Sequence, residues 1–311
     1  MKIVFFGSSD FAVPILEELA KNENIVLAVT QPDRQKGRAL KIAPTAVKSK
    51  AVEFGIKTFQ PARVNSAESV EFLKKFNADL FIVVSFGQIM SKEVLSLAKL
   101  YCLNIHASLL PKYRGAAPIN RAIANGEKET GVTIMRMNEN MDEGDIALKE
   151  ALPISEKDDA ILLTKELSIK GAKILLDVIK LIKDSAVKFT AQDNSKATYA
   201  PKLKKEDGLI DWTSSADEIY NKIRAFVPWP GCFTYLDKKI LKIWKTRPIV
   251  DTGYNNFKPG AILKVNENYI LVKTGKGSLI IEELQLEGSR RMAAEEFIIG
   301  HKQFFPGIIL K

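Results

Sequence analysis

At 311 residues, 46% of them hydrophobic and 27% charged, the chain has the composition of a soluble globular protein and the length of two domains. Its formal net charge of +9 favours a polyanionic partner, although a general lysine bias gives the same excess. No apolar run approaches the roughly 18 residues that cross a bilayer, and Cys102 and Cys232 are too far apart in sequence for a metal site or a redox pair. A membrane span and cysteine-metal chemistry are thereby excluded, and a reduced, cytoplasmic protein without metal is expected.

In chain order, Met1–Gly7 is apolar for four residues before its glycine, which predicts a strand and not a signal peptide. Further strands are expected at Ile25–Thr30, Leu80–Ser85 and Tyr101–His106. Helices are expected at Phe11–Lys21 behind a Ser9/Asp10 cap, at Lys48–Phe54 and at Ser66–Phe76. Short β-rich runs alternating with helical patterns predict a Rossmann-like parallel sheet with crossover helices, whose sites lie at the C-terminal ends of strands. A nicotinamide enzyme would need Gly-x-Gly-x-x-Gly after the first strand. Gly7-Ser8-Ser9-Asp10-Phe11-Ala12 keeps one glycine of the three, and no P-loop pattern occurs. Dinucleotide and nucleoside-triphosphate chemistry are set aside.

A helix over Ala160–Lys183 closes the first half. Ala191–Pro201 is polar and ends in proline, and Lys202–Asp207 is dense in charge, so the linker belongs here. Beyond a helix at Asp217–Phe226, short strands are expected at Phe233–Leu236, Ile240–Lys245, Ala261–Val265, Tyr269–Thr274 and Ser278–Leu286. Regular short strands with turn signals between them predict a small barrel.

Residues 1–189 carry 27 basic and 23 acidic side chains, and residues 190–311 carry 19 and 14, so the excess is proportionally larger in the second part. Two basic clusters stand out. Arg34, Lys36, Arg38, Lys41, Lys48 and Lys50 face a single acid, Asp33, within residues 31–50. Lys238, Lys239, Lys242, Lys245 and Arg247 face none within 238–250. Such clusters can neutralise phosphates along an RNA helix.

Asn104 and His106 are two positions apart on an expected strand, where alternation places both side chains on one face. Asp142 follows in the Gly-containing loop Met141-Asp142-Glu143-Gly144-Asp145. An amide, an imidazole and a carboxylate suit acyl transfer to an amine, which needs an oxyanion stabilised and a proton moved. Taken alone, His106 is equally well a buried, hydrogen-bonded imidazole. Asp142 is more readily an exposed turn carboxylate, and Asn104 more readily still a residue that satisfies strand-end backbone.

The run His106-Ala107-Ser108-Leu109-Leu110-Pro111-Lys112-Tyr113-Arg114-Gly115-Ala116-Ala117-Pro118-Ile119, with Gly131-Val132-Thr133-Ile134 and the Asp142 loop, closely resembles the folate-dependent formyltransferases. Gln31-Pro32-Asp33-Arg34 with Gly37-Arg38 resembles the RNA-contacting loop of members that act on aminoacyl-tRNA, although Gln35-Lys36 replaces a proline-containing step. Ile210-Asp211-Trp212 and Arg224-Ala225-Phe226-Val227-Pro228-Trp229-Pro230 resemble second-domain signatures, so the likeness covers nearly the whole chain.

The resemblance implies an α/β formyltransferase domain over 1–189, a linker over 190–206 and an OB-like, tRNA-binding barrel over 207–311. It implies transfer of a formyl group from 10-formyltetrahydrofolate to the amino group of methionyl-initiator tRNA, by a monomer with no membrane partner. Asn104 and His106 would stabilise the tetrahedral intermediate, and Asp142 would relay the amine's proton or hold His106 cationic. Folate would lie along Phe86, Gly87, Ile89, Ser108, Leu109, Leu110 and Pro111, and Arg38, Lys36 and Lys41 would contact tRNA. A transferase acting on a small amine or a 10-formyltetrahydrofolate hydrolase would share the catalytic trio. An RNA-binding protein with an inert transferase domain is the alternative from another class, and the intact trio argues against it.

Overall fold

The computed structural model describes residues 1–36, 41–250, 253–254, 256–301 and 304–311, with Gln35, Lys36 and Lys41 described by their backbone alone. They form two compact units. The first comprises residues 1–118, 129–153 and 164–200, and the second 119–128, 154–163 and 201–311.

Nine strands and most of the helices build the first unit: β1 (Lys2–Gly7), α1 (Val13–Asn22), β2 (Asn24–Val29), β3 (Arg34–Lys36), β4 (Lys41–Ala43), α2 (Ala46–Glu53), β5 (Thr58–Phe59), α3 (Ala67–Lys74), β6 (Leu80–Val84), α4 (Lys92–Leu95) and β7 (Tyr101–His106). After α5 (Pro118–Ala124), a helix of the second unit, come β8 (Glu129–Arg136), β9 (Ile146–Pro153) and α6 (Ala160–Lys183). Seven strands pair in the order β5-β2-β1-β6-β7-β8-β9, and β3 pairs with β4 apart from them. The chain reverses its direction of travel across the sheet between β1 and β6, the kind of switch point where such sheets open a crevice.

The parallel sheet expected from the alternation is present from β5 to β7, but β7–β8 and β8–β9 are antiparallel. Antiparallel strands added to the edge of a parallel sheet are common in large mixed sheets. β6 is buried at all five positions, as a strand covered on both faces must be. On one face Phe6 and Phe81 meet at 5.0 Å between ring centroids and pack with Val70 and Leu73 of α3. Each such side chain contributes about 1.5–3 kcal/mol by burial. On the other face Gly171 brings α6 against Ile105 and Val132.

Helix starts follow their caps. The hydroxyls of Thr45, Ser66 and Ser91 accept from Lys48, Ser69 and Val94 N–H at the starts of α2, α3 and α4. The expected Ser9/Asp10 cap of α1 is displaced. Ser9 begins a 3₁₀ turn over Asp10–Ala12 without a side-chain cap bond, and α1 starts behind Ala12 with Pro14 in its first turn.

The second unit holds α7 (Ala216–Ala225), β10 (Cys232–Leu236), β11 (Lys239–Ile249), β12 (Ile262–Val265), β13 (Ile270–Lys273), β14 (Ser278–Leu286), β15 (Met292–Ala293) and α8 (Ala294–Gly300). Its antiparallel sheet runs β10-β11-β14-β13-β12, with β15 beside β14. Asp237 and Lys238, both at positive φ (45° and 68°), turn β10 into β11. Residues 308–311 close this sheet into a barrel. Ile262 N–H donates to Ile308 O and Leu310 N–H to Gly260 O on the β12 side, while Lys311 and Tyr235 exchange backbone bonds of 2.7 and 3.1 Å on the β10 side. Thr234, inside this seam, donates to Lys311 O and accepts from Trp212 Nε1.

Candidate active site

β7 ends at the site. Asn104 and His106 share one of its faces, and the parallel neighbour β6 ends beside them, with Val83 paired to Asn104. Beyond β7 the chain turns through residues 107–117. Thr133 Oγ1 on β8 donates to Ser108 O (2.7 Å) and accepts from Leu110 N–H (3.1 Å), and Ser108 Oγ donates to Lys112 O (2.6 Å). Tyr113 and Gly115 take positive φ of 61° and 116°, and a Cβ on Gly115 would lie 2.8 Å from Ala200 O.

This turn delivers Tyr113 O to 2.9 Å from His106 Nε2. A carbonyl oxygen accepts, so Nε2 carries a proton. The other ring nitrogen, Nδ1, faces Asp142 Oδ2 at 3.6 Å, longer than a hydrogen bond. A carbonyl thus faces one ring nitrogen and a carboxylate the other. Asn104 Oδ1 is buried and has no hydrogen-bond partner among the described residues. Leaving such a group unpaired costs about 1–3 kcal/mol, so it calls for a reason.

Asp142 reaches the ring by an indirect route. β8 runs antiparallel to β7 with Arg136 opposite Leu103, three positions before His106. The following loop, 137–145, must therefore fold back along β7. Gly144 permits this, because a Cβ there would overlap Arg136 O. Asp142 itself sits at φ 54°, and its Oδ2 accepts from Gly115 N–H at 2.8 Å.

Three residues that the sequence does not single out hold this geometry. Thr133 bridges the turn from β8 as described above. Arg114, 1% exposed, donates from Nε and Nη2 to Gln192 Oε1 (3.1 and 2.8 Å), from Nη2 to Asn194 Oδ1 (2.6 Å) and from Nη1 to Glu143 Oε1 (3.1 Å). Gln192 Nε2 donates to Asp142 O and Gly144 O, each at 2.8 Å. Arg114 stands within the family motif, which is a readable signal. Gln192, in a polar stretch, had none.

The other expected contacts are placed as follows. Phe86 is buried in the core against Phe6, Gly87 takes φ 83°, and Ile89 is 78% exposed. Ser108 and Leu110 are fully buried, and Leu109 and Pro111 partly so. Phe86 O accepts from Ser8 Oγ (3.1 Å) and Gln31 Nε2 (3.2 Å), which ties the end of β6 to the ends of β1 and β2. Lys36 pairs with Lys41 across β3–β4, and Arg38 lies outside the described residues. Of the same basic cluster, Lys48 is bonded to Asp33 (2.6 Å) and Lys50 to Glu17 and Glu53 (2.7 and 2.8 Å). In the second cluster Lys245 and Arg247 share Glu282. Burial pushes the Cys102 thiol well up and that of Cys232 to about 12, so neither is a nucleophile near neutral pH.

Residues 1–179 match the family model described as formyl transferase, and residues 202–302 match that described as formyl transferase, C-terminal domain. The chain belongs to the formyl transferase family. It is thus a one-carbon group transferase. Methionyl-tRNA formyltransferase of Caldanaerobacter subterraneus subsp. tengcongensis is 46% identical to it over the full length of both chains. The enzyme of that name from Geobacter sulfurreducens is 44% identical over 97% of this chain and 94% of its own. Among solved structures, the N-formyltransferase from Helicobacter canadensis in complex with folinic acid and dTDP-3-aminofucose shares the fold. Its TM-score is 0.68 at 22% identity, over 90% of this formyl transferase and 98% of that chain. HypX from Aquifex aeolicus with tetrahydrofolic acid gives 0.66 at 18% identity, over 96% of this chain and 47% of its own. Among the described residues no helix is long and apolar enough to cross a membrane.

Proposed function

We propose that this formyl transferase moves a formyl group from 10-formyltetrahydrofolate to the amino group of methionyl-initiator tRNA, acting in the cytoplasm as a monomer. The observation that carries the reading is His106 set between Tyr113 O and Asp142, with the unpartnered Asn104 two positions away, in a chain 46% identical along its length to a methionyl-tRNA formyltransferase. The amine of an aminoacyl ester is weakly basic, so a useful fraction is a nucleophile near neutral pH without a strong base. As it adds to the formyl carbon, charge gathers on the formyl oxygen. His106 Nδ1–H and the Asn104 amide donate there, and one such donor is worth roughly 3–4 kcal/mol in acyl transfer. Asp142 takes the proton that the amine sheds, and this same proton passes to the departing folate nitrogen as its bond to the formyl carbon breaks.

Folate lies against the turns that end β6 and β7, at Phe86, Gly87, Ile89 and Ser108–Pro111. These turns follow adjacent parallel strands, and both Helicobacter N-formyltransferase and Aquifex HypX were solved with folates. The buried side chains of Ser108 and Leu110 shape the turn, so their share of binding is through backbone groups. Arg38, with Lys36 and Lys41, contacts the tRNA, and residues 207–311 bind its body. Support comes from the pairing of Lys36 with Lys41 on either side of Arg38, and from the proportionally larger basic excess of the second part of the chain.

The test is formylation of methionyl-initiator tRNA by purified protein with 10-formyltetrahydrofolate, beside methionyl-elongator tRNA, free methionine and a no-acceptor control. Formyl-methionine arising mainly from initiator tRNA is expected, while folate turnover without RNA would overturn the acceptor. His106→Ala and Asp142→Asn should each lower turnover about a hundredfold or more in folded protein. Arg38→Ala should raise the KM for charged tRNA and leave that for folate unchanged.

A further inference from the structure

We propose that Gln192 is a positioning residue for Asp142. The inference rests on the reading of Asp142 as part of the reacting site. The loop carrying Asp142 folds back along β7 against the direction in which β8 leaves it, and it holds Asp142 in the left-handed region at φ 54°. Such a conformation is uncommon in a non-glycine residue, although aspartate adopts it more readily than most, and here the surrounding groups hold it. They come from residues 191–200, a stretch with the composition of a linker. Gln192 Nε2 bonds two carbonyls of the loop at once, those of Asp142 and Gly144, each at 2.8 Å. Its Oε1 is in turn gripped by two nitrogens of the buried Arg114. Arg114 also holds Glu143, between those two carbonyls in sequence, and its own backbone pairs with Thr198 and Ala200. The amide thus has both ends committed and a fixed orientation, and it pins the backbone on either side of Glu143.

Two variants separate the donors from the acceptor. Gln192→Met keeps the volume and removes every bond. Gln192→Glu keeps the acceptor for Arg114 and removes both donors. Both should lower kcat about a hundredfold, the scale on which a displacement near 1 Å costs rate, with KM for folate and tRNA unchanged. In an Asp142→Asn background either change should lower kcat less than about twofold, because residues acting as a unit are not additive. Full additivity, or wild-type kcat in Gln192→Glu, overturns the proposal. A readout independent of the reaction is hydrogen exchange of the Gly115 amide, whose acceptor is Asp142 Oδ2. It should quicken about tenfold or more in both variants, and unchanged exchange overturns the clamp. A wild type that exchanges as expected but formylates nothing would refute the reaction and leave the clamp standing.

Discussion

Thr133→Val tests the turn beyond β7 by the removal of one hydroxyl. Thr133 is fully buried, as are Ser108 and Leu110, the residues it joins. Its Oγ1 donates to Ser108 O at 2.7 Å and accepts from Leu110 N–H at 3.1 Å. Valine fills the same space and makes neither bond, so a carbonyl and an amide are left dry and unpaired. At about 1–3 kcal/mol for each, the cost is about 2–6 kcal/mol. In a unit of this size each kcal/mol lowers the melting midpoint by about 2–4 °C, which places the shift at roughly 4–24 °C. Thr133→Ser is the control, because it keeps the hydroxyl and loses a methyl group worth about 1 kcal/mol. Scanning calorimetry, which resolves the two units if they melt separately, compares the pair, and kcat should fall at least tenfold in the valine variant. If valine proves no more destabilising than serine, the hydroxyl bridge does not hold the turn.

Gly144→Ala should lower kcat at least tenfold, since its Cβ would overlap Arg136 O and push the Asp142 loop outward; wild-type kcat would show that the loop has slack. Ser215→Ala should cost the second unit about 1 kcal/mol near pH 7, and less in acid. Ser215's backbone N–H, then its hydroxyl, hold the Glu218 carboxyl below the usual range. The stability this gives is complete above the unfolded pKa of about 4.3 and fades as pH falls through the lower folded value. A penalty in urea titrations that is unchanged down to about pH 2.5 contradicts the carboxylate's share. Gly260→Ala meets Leu310 O with a backbone at φ 85°, and should destabilise the barrel by more than about 2 kcal/mol while speeding exchange of the Tyr235 amide. Exchange as slow as in the wild type would mean that the seam adapts.

How far the fold was legible depended on whether the signal was local. The strands β1 and β6 announce themselves as apolar runs buried on both faces, and α2 and α3 start behind hydroxyls that do cap them. β9 is half exposed along Ile146–Pro153 and carries Lys149 and Glu150, so it lacks the apolar run of its neighbours. Asn104 and His106 were readable because a strand's two-residue period places them together. Asp142 was readable through the family motif, although its path depends on the register of β7 with β8. Gln192 was not, because its meaning rests on a partner 78 positions earlier.

The second unit is threaded through the first in sequence, and that has a cost during synthesis. Asn120 donates to Ala225 O and Arg121 pairs with Asp207, partners that follow by 105 and 86 positions. At about 5–20 residues per second, a ribosome needs roughly 4–20 s to supply them. Through that interval Asn120 and Arg121 are without these partners. A catalytic fragment cut after Ala200 would lack them permanently. Lower stability of such a fragment would then report on the unpartnered helix, and not on any weakness of the sheet.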